Sequence, residues 1–304
     1  HDMDVAHSWL EAFRLLAENG TLPVRVQSFV RAQHDEWITL GQLPAGGEFH
    51  RLVGVKLFAD GALGSRGALL RAPYHDDPST SGLELLTVDQ LVKACRAAID
   101  AGWPCIAIHA IGDAAVRNVL DAYATVRSWS DGADMILRIE HAQHVAPDDV
   151  VRMADLRVFA CVQPSHCMSD AVMAEHRLGP DRLPWSYRWR SLIDAGITVT
   201  GGSDFPIEDP DVLFGLTSFV HRTPPNMSAP WMPDERISID EALAAYTINA
   251  HRAADVDYRR GRIDVGMDAD VVIIDRDITS CSAEELQQAH IMATFTAGRR
   301  RYSA

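Results

Sequence analysis

The chain has 304 residues, 47 % of them hydrophobic and 23 % charged, which suits a large folded domain and argues against disorder. Its net charge of −14 at pH 7 disfavours nucleic acid and an anionic membrane surface as partners. No apolar run approaches the ~18 residues of a membrane span. The five cysteines include no Cys-x-x-Cys pair, which favours reduced thiols and a cytoplasmic protein.

Apolar, β-branched runs alternate with helical patterns along the chain, at roughly 30 residues per unit. The runs are continuously apolar, which is typical of strands that are covered on both faces. We predict strands, in chain order, at Val24–Val30, Val53–Ala59, Cys105–Ile108, Ile136–Glu140, Val158–Val162 and Ile197–Thr200.

The segments between these runs carry helix signals. Thr87 and Gln90 form a capping box that predicts a helix start. Asp113 and Pro147 are predicted to begin two further helices, because an acidic N-cap and a proline in the first turn both favour a helix start. Another helix is predicted over Ser238–Ala253.

Repeated strand–helix units predict a parallel sheet, either doubly wound or closed into a (β/α)8 barrel. No Gly-x-Gly-x-x-Gly motif follows a strand, so a dinucleotide-binding fold loses its best support. Only six strands are predicted and the chain opens abruptly on "HDMD", so we expect residues to be missing upstream. If the fold is a TIM barrel, this chain lacks its first strands.

The pattern changes after Ala254. The stretches "GRIDVGMDADVVIIDRD" and "ATFTAGRRR" predict short strands with turns between them. We therefore assign 1–254 to the barrel and 255–304 to a small β unit that packs beside it.

Polar residues stand at or just after the ends of five consecutive predicted strands, and a lysine lies inside the first of these strands. Since the carboxyl ends of barrel strands form active sites, these side chains are expected to share one rim. They are Lys56, Asp60, His109, Glu140, His141, His144, Gln163, His166, Ser203 and Asp204.

Several of these residues have an ordinary explanation when taken alone. Lys56 can extend its amine to the rim, His109 can be a hydrogen-bonded core histidine, and Asp204 can belong to a turn. His144 and His166 are interpreted first as loop residues or partners of ligands. The joint pattern instead favours metal-dependent hydrolysis, because imidazoles and carboxylates bind zinc and similar divalent ions.

The motifs "VKLFADGALGSRGALL", "IHAIGDAAV", "RIEHAQH", "GGSDFPIEDP" and "GRIDVGMDADVVIID" occur in this order over nearly the whole chain. Together they resemble the amidohydrolase superfamily, in its amidohydrolase-3-like branch. The resemblance implies a metal-binding (β/α)8 barrel with a composite β-sandwich built from both chain ends. Residues 255–304 would be the C-terminal part of that sandwich, and "HDMD" resembles the end of barrel strand two.

The same resemblance implies roles for individual residues. Lys56 would be a carboxylated lysine on strand four that bridges metal ions, and His109 and His141 would be metal ligands on strands five and six. Asp204 would be both the strand-eight ligand and the general base. The family's His-x-His on strand one has no counterpart here, since "HDMDVAH" offers only separated histidines. We expect one or two divalent ions, with zinc favoured.

The leading hypothesis is a metal-dependent hydrolase of non-peptide C–N bonds in an amide, a cyclic amide or an N-substituted formamide, acting through metal-activated water. A mononuclear metal deaminase with an unmodified Lys56 is the alternative enzyme. A catalytically inactive fragment or degenerate barrel is the alternative outside catalysis. The expected partner is a small-molecule substrate, and the sequence is also compatible with a homo-oligomer.

The segment "RLPWSYRWR" at 182–190 lies before the last predicted strand, on the loop side of the barrel where substrate specificity is set. Trp185 and Arg188 are candidate substrate-binding residues, with Asp60, Gln163 and His166. The alternative is that the aromatic residues of this segment only pack the loop against the barrel.

Overall fold

The computed structural model describes residues 1–32, 36–41 and 46–304. The strands in these ranges are β1 Asp2–Val5, β2 Val26–Arg31, β3 His50–Phe58, β4 Cys105–Ala110, β5 Ile136–His141, β6 Phe159–Val162, β7 Val199–Gly201, β8 Val271–Ile274, β9 Ile291–Thr296 and β10 Arg299–Ser303. The α-helices are α1 His7–Glu18, α2 Glu36–Gly41, α3 Val88–Asp100, α4 Asp113–Ser128, α5 Pro147–Asp155, α6 Pro164–Leu178, α7 Trp189–Asp194, α8 Val212–His221, α9 Ile239–Tyr246, α10 Ile248–Arg252 and α11 Ala283–Gln287, with short 3₁₀ turns at Leu183–Trp185 and Pro233–Glu235.

Strands β1 to β7 form one sheet in which every neighbouring pair is parallel and the spatial order follows the chain. A doubly wound sheet reverses its strand order at a switch point, whereas a barrel adds strands in sequence. The order therefore decides between the two architectures that the sequence leaves open, in favour of the barrel-type arrangement.

The six strands predicted from apolar runs omit one strand of the parallel sheet in the described part of the chain, at the segment that resembles the end of a barrel strand. The segment Asp2–Val5 forms β1 and pairs with β2, with Asp2 opposite Ser28. Two of its four residues are aspartates, so it lacks the apolar run by which the other strands are recognised. Pairing with a neighbouring strand, and not local hydrophobicity, makes this segment a strand.

Successive residues of the central strands point to opposite faces of the sheet, and the two faces pack against different groups of residues. On β4, Ile106 and Ile108 pack into the large core under the helices, whereas Cys105 and Ala107 belong to a smaller cluster on the opposite face. All six residues of β4 are buried, as the continuous apolar run predicts. His109 shares the face of Cys105 and Ala107, so the strand period itself directs it away from the helices.

The helix predicted over Ser238–Ala253 is two helices in the structure. Ser238 and Glu241 form the capping box that begins α9. Thr247 then leaves helical geometry, with φ −124° and ψ −99°, and its hydroxyl donates to the Leu243 carbonyl. A threonine hydroxyl that bonds to the backbone carbonyl one turn earlier competes with helix propagation.

No helix in the described ranges is both long and apolar enough to span a membrane.

Strands β8, β9 and β10 form a separate antiparallel sheet, in the order β10–β9–β8. Arg25 links the start of β2 to the segment before this sheet, because its Nε donates to Asp270 at 2.7 Å. Asp268 accepts from Arg260 at 2.8 Å in the same region. The division at residue 254 and the composite sandwich stay predictions.

Gly54 provides a test of how closely β3 and β4 pack. A Cβ at this position would lie 2.6 Å from the Cys105 carbonyl oxygen and 2.7 Å from the Phe29 ring. We expect Gly54→Ala to lower the free energy of unfolding by about 1–3 kcal/mol, because backbone and ring must both move. Urea denaturation measures the change. Gly47→Ala is the control, since no atom of the described residues lies within 4 Å of its Cβ position. Equal stability of the two variants would contradict this packing.

Candidate metal centre

Lys56 and His109 enter the site from neighbouring strands on the same face of the sheet. Lys56 is only 4 % exposed on β3, and its Nζ lies 5.0 Å from the centroid of the Phe58 ring. Burial lowers the pKa of the Lys56 amine, and the carboxylates of Glu140 and Asp204 act in the opposite direction. The neutral amine is thereby favoured more than in a solvent-exposed lysine.

His109 is held by Asp60, which follows β3. The Asp60 Oδ1 lies 3.3 Å from the His109 Nε2. The same buried carboxylate accepts backbone N–H bonds from Leu69 at 2.9 Å, Ile111 at 3.0 Å and Gly112 at 2.8 Å. Asp60 thus ties the loop after β3 to the turn after β4 and fixes the imidazole between them.

His141 ends β5 in an unusual backbone conformation. Its φ is +76° and that of Ala142 is +43°, both in the left-handed region that costs a non-glycine residue free energy. The His141 Nδ1 lies 2.8 Å from the Gln163 Oε1, which leaves Nε2 as the nitrogen available for ligation. Burial holds the pKa of the His141 imidazole well below its usual range, and the charges of His109 and Lys56 lower it further. A neutral imidazole is the form that binds a metal.

His166 reaches the site from the first turn of α6. Gln163 is the N-cap of this helix and Pro164 follows directly, so the helix begins where β6 ends. This places His166 one turn above the strand end, with its Nε2 3.9 Å from the Asp204 Oδ2. That Nε2 is buried and has no hydrogen-bond partner among the described residues.

His141, His166 and Asp204 form a compact group of donors. Each offers one ligand atom, and these atoms lie within 4.8 Å of one another. Two imidazoles and a carboxylate suit zinc and related divalent ions. A cation between the three side chains would supply the partner that the buried His166 Nε2 lacks in the described ranges. The residues therefore fit the divalent metal that the sequence implies.

Asp204 is the most open member of the group. It follows β7 with φ +58°, and 38 % of its side-chain surface is exposed. Burial raises the pKa of the Asp204 carboxyl, while the positive charges of His166 and Lys56 lower it. A carboxylate that faces both the donor group and solvent is placed to exchange protons with a bound molecule.

An ion pair lies beneath the donor group, inside the sheet. Arg138 and Glu140 point to the same face of β5 and are 2 % and 4 % exposed. The Arg138 Nε donates to the Glu140 Oε1 at 2.8 Å, and Nη2 donates to Oε2 at 3.2 Å. The guanidinium also lies 4.4 Å from the centroid of the Phe29 ring. Glu140 was noted at a strand end in the sequence, but its partnership with Arg138 was not predicted.

The sequence-predicted ligands are distributed as follows. His141 and Asp204 belong to the donor group, and the His109 ring lies beside it, with its centroid 4.5 Å from that of His141. The positive charge of Lys56 acts on both His141 and Asp204, but its role as a ligand stays a prediction. His166 was interpreted first as a loop residue or a partner of ligands; the structure places it on α6 and within the donor group. The signal was Pro164, which starts the helix early enough to place His166 over the mouth.

The predicted substrate-binding residues have varied surroundings. Asp60 and Gln163 are both buried. Gln163 bonds to His141, and the Asp60 carboxylate lies 3.3 Å from the His109 Nε2. Trp185 is half-buried, and its carbonyl accepts from the Val145 N–H at 2.9 Å. Arg188 donates to the Val145 carbonyl at 3.2 Å. Substrate contact by these residues stays a prediction.

Trp185 is the member of 182–190 whose side chain we expect to influence binding. Trp189 is fully buried in the core, whereas Trp185 retains exposed surface. We expect Trp185→Ala to raise KM severalfold with little change in Tm, because a half-buried loop side chain contributes few core contacts. Steady-state kinetics and thermal denaturation measure the two effects. Trp9→Ala on α1, where the side chain is 59 % exposed, is the control; a lowered Tm with unchanged kinetics would show that Trp185 only packs.

Parallel strands in sequential order, with histidine and carboxylate donors gathered at their carboxyl ends, define the class of barrel-type α/β metalloproteins. The model of the amidohydrolase family matches residues 2–302, and this chain belongs to that family.

Individual relatives agree with this assignment. The chain is 37 % identical to the protein LONG AFTER FAR-RED 3 of Arabidopsis thaliana over 88 % of this chain and 44 % of that protein. It is 33 % identical to the N-substituted formamide deformylase of Arthrobacter pascens over 70 % of this chain and 38 % of the relative. An uncharacterized metal-dependent hydrolase from Pyrococcus horikoshii OT3 has a similar structure, with a TM-score of 0.83, 31 % identity and coverage of 93 % of this chain and 56 % of that one. The chain thus spans about half the length of the relatives it matches.

Proposed function

We propose that this chain carries the metal centre of a hydrolase that cleaves a non-peptide C–N bond in a small molecule. The observation that carries the proposal is the group of His141, His166 and Asp204, whose ligand atoms lie within 4.8 Å at the carboxyl ends of parallel strands. The proposal includes an eight-stranded barrel to which β1–β7 contribute, zinc as the resident cation, and a cytoplasmic location.

His141, His166 and Asp204 would hold the cation, with His109 beside them. A divalent cation, when bound, acts as a Lewis acid toward a carbonyl and makes water a nucleophile at neutral pH. Asp204 accepts the proton of the attacking water, because its carboxylate is the partly exposed member of the group. It then donates that proton to the leaving nitrogen, so its protonation state is restored at the end of the reaction.

The chemical state of Lys56 distinguishes two versions of the metal centre. Its buried amine, next to an aromatic ring, can react with CO2, with loss of one proton, to give an anionic carbamate. That carboxylated lysine would add an oxygen ligand and support a second cation. The alternative is a mononuclear deaminase, which is favoured by the fact that the three-residue donor group suffices for one cation. In that case Lys56 stays unmodified.

The proposed substrate class is based on the amidohydrolase family and on the name of one relative. The Arthrobacter relative is named for an N-substituted formamide, in which a small acyl group is joined to nitrogen. We place an N-substituted formamide first, followed by a cyclic amide and a simple amide. These substrates share the carbonyl that the centre would polarise and the nitrogen that Asp204 would protonate.

The test uses the full-length protein, stripped with chelator and reloaded with Zn²⁺. N-substituted formamides, cyclic amides, simple amides and an aminopurine are offered, and formate, amine, carboxylate or ammonia is measured as product. We expect C–N hydrolysis that requires metal and falls by about 10²–10⁴-fold in Asp204→Asn. Ammonia from the aminopurine alone would favour the deaminase, and turnover that resists chelation would refute the proposal.

The state of Lys56 is tested separately with ¹³CO2. Protein equilibrated with labelled bicarbonate should show a carbamate carbon by NMR, and Lys56→Met should lack it. Lys93→Met on the outer face of α3 is the matched control and should retain the signal. The absence of any carbamate signal in the active protein would remove the carboxylated lysine from the proposal.

A further inference from the structure

Two glutamines contact the two histidines of the donor group in a crossed arrangement. Gln163 follows β6 and bonds to His141, which ends β5, with 2.8 Å between Oε1 and Nδ1. Gln143 follows β5 and its side-chain amide nitrogen lies 3.4 Å from the Nδ1 of His166, which follows β6. Each histidine therefore meets a glutamine from the neighbouring strand end. Both glutamines are less than 10 % exposed, so water does not replace them easily.

The His141 side of this arrangement defines a tautomer. The Nε2 of Gln163 donates to the Cys161 carbonyl at 3.4 Å, which fixes the amide with its oxygen toward His141. An amide oxygen only accepts, so the His141 Nδ1 must carry the proton. Its Nε2 then keeps a free lone pair for a cation.

On the His166 side, the same tautomer follows from a different requirement, the binding of a cation. Its Nε2 is 3.9 Å from Asp204 and must be unprotonated to bind a cation together with it. Nδ1 then carries the proton and needs an acceptor. The Gln143 Oε1 is buried and has no hydrogen-bond partner among the described residues. A half-turn of the Gln143 amide exchanges two atoms of similar size and brings this oxygen onto Nδ1.

We propose that Gln143 and Gln163 are a crossed pair of positioning residues, which hold His166 and His141 as Nδ1–H tautomers with both Nε2 atoms directed toward Asp204. The inference rests on the proposed metal centre and names the residues that prepare it. The Gln143 amide takes the orientation with Oε1 on His166.

The backbone around Gln143 is fixed independently of its side chain. Its carbonyl accepts from the Tyr187 N–H at 2.7 Å, and the preceding residues His141 and Ala142 have positive φ. The left-handed turn at the end of β5 therefore serves two purposes. It places the His141 ring in the donor group and directs Gln143 toward the neighbouring strand, where His166 lies.

The decisive comparison is between glutamate and methionine at each position. A glutamate carboxylate accepts a hydrogen bond from Nδ1–H but offers no amide N–H, whereas methionine keeps the volume and does neither. We expect Gln143→Met and Gln163→Met to weaken Co²⁺ binding by about 10–100-fold, as is typical for partners of metal-binding histidines. Gln143→Glu should stay within about threefold of the wild type. Gln163→Glu, which also loses the hydrogen bond from Nε2 to the Cys161 carbonyl, should fall between the wild type and Gln163→Met. Titration of the full-length protein with Co²⁺, followed by its visible absorption, measures these affinities.

Gln27→Met is the matched control. Gln27 is a buried glutamine on β2 whose two polar side-chain atoms have no hydrogen-bond partner in the described part of the chain. It should leave Co²⁺ affinity unchanged. If Gln143→Glu weakens binding as much as Gln143→Met, with Tm preserved in both, the amide must act as a donor and the inference is overturned.

Imidazole tautomers in ¹⁵N-histidine protein separate this inference from the proposed function. Long-range ¹H–¹⁵N spectra of the chelator-treated protein should show protonated Nδ1 and unprotonated Nε2 for both histidines. That result with no Co²⁺ binding would sustain the crossed pair and remove the metal centre. A protonated Nε2 on His166 in both the stripped and the loaded protein would overturn the crossed pair, whatever the affinity.

Discussion

Replacing His166 with asparagine is expected to raise the Kd for Zn²⁺ by roughly a hundredfold or more. The change removes one of three donors, and even partners of metal ligands are commonly worth 10–100-fold in affinity. Turnover should fall at least in proportion, because Asp204 loses the donor, 3.9 Å away, with which it would hold the cation. Competition with a chromophoric chelator measures the Kd, and Tm in the presence of chelator separates binding from folding.

His144 supplies the control for this variant. It is 2 % exposed, it bonds through Nδ1 to the Ser186 hydroxyl at 2.9 Å, and its Nε2 also has no hydrogen-bond partner among the described residues. His144 is not part of the donor group in those ranges, so His144→Asn should keep the Zn²⁺ affinity. Equal loss of affinity in the two variants would mean that burial of a histidine, and not ligation, explains the effect at His166.

Replacing Arg138 with methionine is expected to lower the free energy of unfolding by about 3–5 kcal/mol. The change leaves the Glu140 carboxylate buried without its guanidinium, and removal of one member of a buried pair typically costs this much. Arg138 also donates to the Ala253 carbonyl at 3.1 Å, so the connection between β5 and the end of α10 weakens as well. Urea denaturation at neutral pH measures the difference.

The double variant Arg138→Met, Glu140→Met shows whether the charge is the cause. It removes the uncompensated carboxylate, so we expect it to recover a large part of the lost stability. Arg96→Met is the surface control, since its partners Asp100 and Asp131 are both more than half exposed and the change should cost less than ~1 kcal/mol. A double variant less stable than Arg138→Met would show that packing, and not charge, dominates.

Much of the candidate site was predictable because it lies in regular strands. A continuous apolar run indicates a buried strand, and the residue that ends the run lies at the rim of the sheet. His109 and His141 were found in this way, and Lys56 was found as a charged residue inside an apolar strand. Asp204 was found from the glycine turn that follows β7.

Other features had no local signal of this kind. β1 has too few apolar residues to stand out, and it is a strand because β2 pairs with it. His166 lies in a helix, four residues beyond the last residue of β6, so the position of the strand end does not predict where its side chain lies. The roles of Gln143 and Arg138 depend on neighbours that are distant in the chain, such as His166 for Gln143 and Ala253 for Arg138.

The sequence by itself determined the parallel strand–helix repeat, the family resemblance and the residue types available at the strand ends. These are properties of short segments, set by hydrophobic period, capping residues and motif spacing. Tertiary structure alone decided the sequential strand order, the choice of His166 as a donor and the crossing of Gln143 and Gln163. The physical reason is that each of these depends on distances between side chains from different strands. Such distances are fixed only when the parallel strands pair in register and the left-handed turn at His141 directs the chain across to β6.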